Sequence, residues 1–171
     1  YTEFLPCEAV TRNIPIIMSK MVIDPAEQPA AVQLYGSNED AMERAAAAAE
    51  QAAPAFLDIN CGCWVRKIAA RGDGAGLLRD LKKLTAVVRA AMRGTALPVT
   101  VKTRLGWDAA HIVILELAPM LEDLGVAALT VHCRTRAQGY TGNADWTWLP
   151  RIKETTRMPV IANGDITHPE H

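Results

Sequence analysis

The 171-residue chain has no run of about 18 apolar residues and no charged-then-apolar amino terminus ending in small residues. Neither a transmembrane helix nor a secretory signal is read, and a cytoplasmic setting without a membrane partner is the expectation. Long runs of one charge are missing too: 18 Lys and Arg stand against 19 Asp and Glu, for a formal charge of -1. A broad electrostatic grip on nucleic acid is not advertised, so any polyanion contact has to be local. The four cysteines, Cys7, Cys61, Cys63 and Cys133, make no CxxC pair and no Cys/His cluster. Structural disulfides and a four-ligand zinc site are therefore poor readings, and no bound metal is expected. "RGDGAGLLRD" (71–80) lacks the GK[ST] of a phosphate loop and has no strand running directly into it, so it reads as a flexible loop and helix start.

What is present is a βα alternation. Half of the residues are apolar, enough for one domain with a sizeable core. Short apolar or β-branched runs at 31–36, 55–62, 97–106, 127–135 and 158–165 read as strands buried on both faces, and "YTEFL" supplies a sixth. Between them lie helical patterns: 39–53, opened by Ser37 with Asp40 three residues on, then 75–93, 109–124 and 147–156. This order implies a parallel sheet with right-handed crossovers. Polar residues sit at the carboxyl end of each of the five runs: Gln33, Asn60 with Cys63, Lys102 with Arg104, His132 with Arg134, and Asn163 with Asp165. In a doubly wound sheet the ligand uses only the strand ends near one switch point, whereas in a (β/α)8 barrel every strand end rings one site. The α/β fold expected is thus a TIM barrel, incomplete, with about strands 2 to 7 present; a single open α/β layer is the alternative. The chain starts without a methionine, within a strand pattern, and ends where a helix pattern begins, so a fragment is expected.

Two thiols in "FLDINCGCWVRK" (56–67), at the mouth of a strand, leave several chemistries open: a metal half-site, a redox pair, a nucleophile beside a bystander, or small apolar filling. Lys102 could snorkel to solvent, but a strand-end Lys in a parallel barrel points into the site, where its cation can hold a phosphate or the electron-rich edge of a cofactor. His132, opposite Lys102 and Asn163, is read as a ligand contact; His111 is read as structural and on a helix. The loop 132–146 holds Arg134, Arg136, Gln138, Tyr140 and Trp146, whose guanidinium planes and aromatic rings suit stacking and phosphate contact with flipped bases.

"VQLYG", "DINCGC", "VTVKTRLGWD", "LTVHCRTRAQGYTG" and "PVIANGDI", in this order and spacing, resemble the flavin barrel of the tRNA-dihydrouridine synthases, and "RGDGAGLLRD" matches that family's segment after the cysteine. The resemblance spans nearly the whole chain. It implies a (β/α)8 barrel that binds FMN, is reduced by NADPH, and acts on a uracil flipped out of tRNA, with hydride passing from flavin N5 to C6 and a cysteine protonating C5. The family's acid matches Cys63, with Asn60 the candidate for holding the uracil, while Cys61 fills a variable position. A thiol of pKa about 8.5 is mostly protonated at neutral pH, as a proton donor must be. By the same likeness Gln33, Lys102 and His132 resemble flavin contacts; Asn163, Gly164 and Asp165 match the stretch beside the ribityl phosphate. Arg104 matches a uracil contact, and Arg134 is taken with it as substrate-binding.

The sequence departs from the family where Trp64 follows Cys63 in place of proline and where Cys133 follows His132 in place of glycine. The family's first and last barrel strands and its carboxy-terminal helical tRNA-binding domain find no match, so residues 1–171 are expected to form part of the FMN-binding barrel and to be inactive alone. Another FMN barrel, of the dihydroorotate or dihydropyrimidine dehydrogenase type, and a non-catalytic RNA-binding remnant are the alternative readings.

Overall fold

The computed structural model describes residues 1–170. Six strands, β1 (Phe4–Pro6), β2 (Ala31–Tyr35), β3 (Phe56–Cys61), β4 (Val99–Arg104), β5 (Ala128–His132) and β6 (Val160–Asn163), form one sheet. Every neighbouring pair is parallel, and their spatial order is their chain order. A doubly wound sheet would reverse order at a switch point; sequential order is how a barrel wall is laid down.

Helices α1 (Cys7–Thr11) and α2 (Pro15–Ser19) and a 3-10 turn at Pro25–Glu27 connect β1 to β2, and α3 (Glu39–Glu50) connects β2 to β3. Then α4 (Arg66–Ala69), a 3-10 segment at Gly74–Arg79 and α5 (Leu81–Gly94) lie between β3 and β4; α6 (Ile114–Leu124) and α7 (Trp148–Thr155) complete the crossovers. The alanine run of α3 lets α5 approach closely: a Cβ on Gly94 would run into the Glu43 carbonyl, and Arg93–Glu43 and Lys83–Glu39 ion pairs, both 2.7 Å, edge the contact. Ile114, Leu117 and Leu121 of α6 are fully buried, each worth about 1.5–3 kcal/mol of apolar transfer.

Several expected boundaries shift. The cap of α3 is Asn38 rather than Ser37; its Oδ1 accepts from Ala41 N at 2.9 Å. The helix expected at 75–93 begins at Leu81, where Asp80 caps it, and residues 74–78 before it are buried rather than flexible. His111 lies outside any helix, where Gly106 and Ile112 form an isolated bridge, and its ring meets Asp108 at 2.7 Å. The strands are not uniformly apolar on both sides. Their outer face (Val32, Leu57, Ile59, Val101, Leu129, Val131) is covered by helices, whereas the inner face alternates in Gln33, Asp58, Asn60, Thr100, Lys102, Thr130 and His132. β6, an open edge of the sheet, is only partly covered.

Among the described residues, no helix is long and apolar enough to cross a membrane, and no three His, Cys, Asp or Glu side chains cluster as a metal site requires.

Candidate functional site on the inner face of the sheet

Parallel register brings side chains distant in sequence to the same level of the inner face. Gln33 pairs with Asp58 and Asp58 with Thr100; one step further along, Asn60 pairs with Lys102 and Lys102 with Thr130; at the carboxyl ends Arg104, His132 and Asn163 are abreast. A cavity of about 500 Å³ opens over this face, lined by Gln33, Asn60, Lys102, Thr130 and Asn163 with Tyr1, Phe4 and Ile161 as its apolar walls. Two recesses adjoin it. One of about 350 Å³ is bounded by Lys102, His132, Arg134, Tyr140, Asn163, Gly164 and Asp165. The other, about 190 Å³, holds Asn60, Cys63, Trp64, Lys102, Arg104, His132 and Tyr140. Gln33, Asn60, Cys63, Lys102, Arg104, His132, Arg134, Asn163, Gly164 and Asp165 all line these spaces, whereas His111, Arg136, Gln138 and Cys61 do not, and Lys102 borders all three.

The polar groups of β2, β3 and β4 are joined in a chain. Thr100 Oγ1 donates to Asp58 Oδ1, and Gln33 Nε2 donates to Asp58 Oδ2 at 2.6 Å. Asn60 Nδ2 donates to Gln33 Oε1 at 2.9 Å. Asn60 Oδ1 accepts from the backbone N–H of Gly62 at 3.1 Å and of Cys63 at 2.9 Å. Asn60 therefore spends its carbonyl on the turn that carries Cys63. Burial raises the pKa of Asp58, opposed by the hydrogen bonds from Thr100 and Gln33 and by the Lys102 charge.

Cys63 is the one thiol that is not buried; Cys7, Cys61 and Cys133 each have no exposed surface. Burial pushes the Cys7 thiol up to about 12 and the Cys133 thiol to about 11, and raises Cys61 as well, so all three stay protonated and out of reach. The other side of the Cys63 turn is clamped by the glycine-rich segment. Ala75 N donates to Cys63 O at 3.1 Å, and a Cβ on Gly74, at φ +54°, would lie 2.8 Å from Cys63 Cβ. Residues 74–76 of "RGDGAG" thus form a close-packed brace for the cysteine loop. Trp64 packs over Gly139, where a Cβ would come within 3.1 Å of its ring, and meets Tyr140 edge-on at 5.7 Å.

The cations differ in how much of their hydrogen-bonding capacity is spent. Arg104, 2% exposed, donates from Nε to Gly62 O and from Nη1 to Thr135 O and Gly139 O, tying the cysteine loop to the 135–139 loop. Arg134 is committed at every guanidinium nitrogen: Nε to Thr141 O, Nη2 to Gly142 O, and a two-pronged pair with Asp165 at 2.8 and 2.7 Å. These contacts make Arg134 a staple of its own loop. Its Nη1 also meets His132 Nε2 at 3.2 Å. A guanidinium cannot accept, so Nε2 carries the lone pair and Nδ1 the hydrogen. Burial, then the Arg104, Lys102 and Arg134 charges, lower the His132 pKa to about 4, with Asp165 opposing, so the imidazole is neutral. The Asp165 carboxylate is held below its usual range chiefly by Arg134 and then by Ala144 N–H; a carboxylate repels phosphate, so only its backbone suits such a ligand.

Lys102 makes no hydrogen bond or ion pair among the described residues, and burial lowers its pKa. An unspent cation at the junction of three recesses, amide groups along one wall and apolar rings on the other form a donor set that fits a flat, polar-edged, anionic group such as FMN. Gly164 adds a backbone approach that side chains would close: at φ +99°, its Cβ would lie 2.8 Å from His132 Cδ2.

Asp58 and Thr100 were not singled out from sequence. The signal available was the alternation of β3, which puts Asp58 on the face of Asn60, two residues earlier.

A family model described as Dihydrouridine synthase (Dus) matches residues 1–171. The chain is 44% identical over 168 residues to "Probable tRNA-dihydrouridine synthase 1" of Synechocystis sp., covering 97% of this chain and 46% of that protein. It is 41% identical over 143 residues to "tRNA-dihydrouridine synthase B" of Pseudomonas putida, covering 84% of this chain and 42% of that protein. It therefore spans a little under half the length of these two relatives. Among solved structures, an old yellow enzyme homologue from Zymomonas mobilis matches with a TM-score of 0.50 at 16% identity, over 75% of this chain and 41% of that one. At that identity the likeness concerns the fold alone, and with the sequential parallel sheet it identifies an incomplete (β/α)8 barrel.

Proposed function

The chain belongs to the dihydrouridine synthase family, and from that premise we propose that it forms the central part of the catalytic barrel of a cytoplasmic tRNA-dihydrouridine synthase that uses FMN and NADPH. The observation that carries this reading is the placement of Cys63: the only unburied thiol, in a recess shared with Lys102, Arg104 and His132 beside the amide-lined cavity. Gln33, Lys102 and His132 would hold the flavin ring, and Asn163, Gly164 and the Asp165 backbone its phosphate arm. FMN held there and reduced by NADPH would supply hydride chemistry toward C6 of the uracil.

The chain's own residues do the rest. Cys63 Sγ gives its proton to C5 on the other end of the double bond, which completes the 5,6-dihydrouracil, and the thiolate regains a proton from solvent. Asn60 sets the turn that delivers Cys63. Arg104 fixes that turn from its far side and, having Nη2 free of any acceptor among the described residues, can turn it to a uracil carbonyl. Arg134 keeps the 141–142 loop against His132, so it acts on substrate through loop position. Tyr140, 69% exposed, and Trp64, 40% exposed, offer ring surface at the mouth for a base or its neighbour. The tRNA-orienting helical domain of the family is expected elsewhere in the intact protein.

The test is spectroscopic. The intact protein should carry an oxidised-flavin spectrum that NADPH bleaches and that returns on addition of unmodified tRNA. Reoxidation by free orotate or uracil, and not by tRNA, would replace this reading with the other flavin barrel. Absence of any flavin would leave only the RNA-binding remnant.

A further inference from the structure

The interior chain from Thr100 to Cys63 has a direction, and Asp58 sets it. Amide side chains are nearly symmetric in shape, so packing alone does not decide which end is oxygen and which is nitrogen; their partners do. Asp58 Oδ2 accepts, so Gln33 turns its NH2 toward it, as the Nε2 to Oδ2 contact of 2.6 Å has it. That leaves Gln33 Oε1 as the group facing Asn60, which must answer with Nδ2. Asn60 Oδ1 is then aimed at the N–H groups of Gly62 and Cys63, which can only donate. Turning either amide over would set donor against donor and acceptor against acceptor on both sides of it.

We propose that Asp58 is the positioning residue for Cys63, acting through Gln33 and Asn60. It is fully buried although a cavity opens above the same face, so it touches neither substrate nor cofactor and reaches the thiol only by way of the two amides. Thr100 Oγ1 donates to its other oxygen and ties the carboxylate to β4. The proposal rests on the reading of Cys63 as the proton donor, and the two are separable by experiment.

In the intact protein, three variants are compared: Asp58→Leu, Asp58→Asn and Cys63→Ala. Asp58→Leu removes the acceptor and frees the Gln33 amide. Asp58→Asn keeps it, because Oδ1 still accepts from Gln33 while Nδ2 donates to the Thr100 hydroxyl, which can accept. Two readouts are taken per flavin-loaded molecule: the rate of Cys63 alkylation by iodoacetamide across its pH profile, located by mass spectrometry, and kcat and KM for dihydrouridine formation. In Asp58→Leu the alkylation rate and profile should change while kcat falls on the order of 10²-fold at unchanged KM for tRNA, the scale of a misplaced reacting group. Asp58→Asn should behave as wild type in both. If Asp58→Leu does not fold, Gln33→Met breaks the same chain one link later and should shift the alkylation profile in the same way. Wild-type alkylation in Asp58→Leu, or an Asp58→Asn as impaired as Asp58→Leu, overturns the proposal. Full activity in Cys63→Ala would instead remove the acid role of Cys63, and the alkylation data would still decide whether Asp58 positions it.

Discussion

His132 is a histidine whose surroundings remove its usual switch behaviour. Buried, and faced by Arg104, Lys102 and Arg134 with only Asp165 in opposition, it titrates at about 4 in the fold against 6.5 when free. The folded pKa is the lower one, so protonation favours the unfolded chain. Its contribution to stability is intact above pH 6.5 and is lost as pH falls from 6.5 toward about 4. His132→Gln should therefore flatten the stability difference across that window, read as urea-unfolding midpoints of variant and wild type. If both curves fall in parallel there, the imidazole is not the group responsible. The position of His132 at a strand end was legible in sequence; its neutrality was not, since it depends on cations that arrive from β4 and from the loop after β5.

At the scale of elements, the polar strand ends were readable because alternation is local, and five of them recurring at matching places imply one ringed site. Helix starts were less so: residues 75–80 carry an apolar pattern that a helix would use, but close packing of Gly74 and Gly76 against Cys63 and Ala69 holds the segment as a 3-10 turn. Asp58 escaped notice for a similar reason. Between Leu57 and Ile59 it reads as one polar residue in a strand, and the partners that give it meaning lie 25 and 42 residues away. The glycine-rich brace offers a direct test. Gly74→Ala must accommodate both a φ of +54° and a Cβ 2.8 Å from Cys63, whereas Gly72→Ala, at φ +87°, would meet only Ser37 Oγ at an ordinary 3.9 Å. Backbone strain alone costs about 1–3 kcal/mol and is common to both. Thermal melts should thus show Gly74→Ala the less stable of the two, and only Gly74→Ala should lower kcat. Equal activity in both variants would mean that the brace does not position Cys63.

At the scale of the whole molecule, six of the strands of a barrel stand as an open wall with β1 and β6 at its edges, and inner-face Phe4 and Ile161 are 41% and 46% exposed there. Closure is what covers such edges, and the relatives, about twice as long, have the length to supply it. The thiols nevertheless already differ in placement within this wall: Cys61 points into the packed outer face and Cys63 into the recess beside Lys102. The central claim, that Cys63 delivers the proton, is tested most directly by the dihydrouridine content of unmodified tRNA after incubation with the intact Cys63→Ala and Cys61→Ala proteins, FMN and NADPH. The expected result is a drop on the order of 10²–10⁴ in rate for Cys63→Ala with its flavin spectrum retained, the range for loss of a general acid, and near-normal formation by Cys61→Ala. Wild-type dihydrouridine formation by Cys63→Ala, or its loss in Cys61→Ala alone, would contradict the claim.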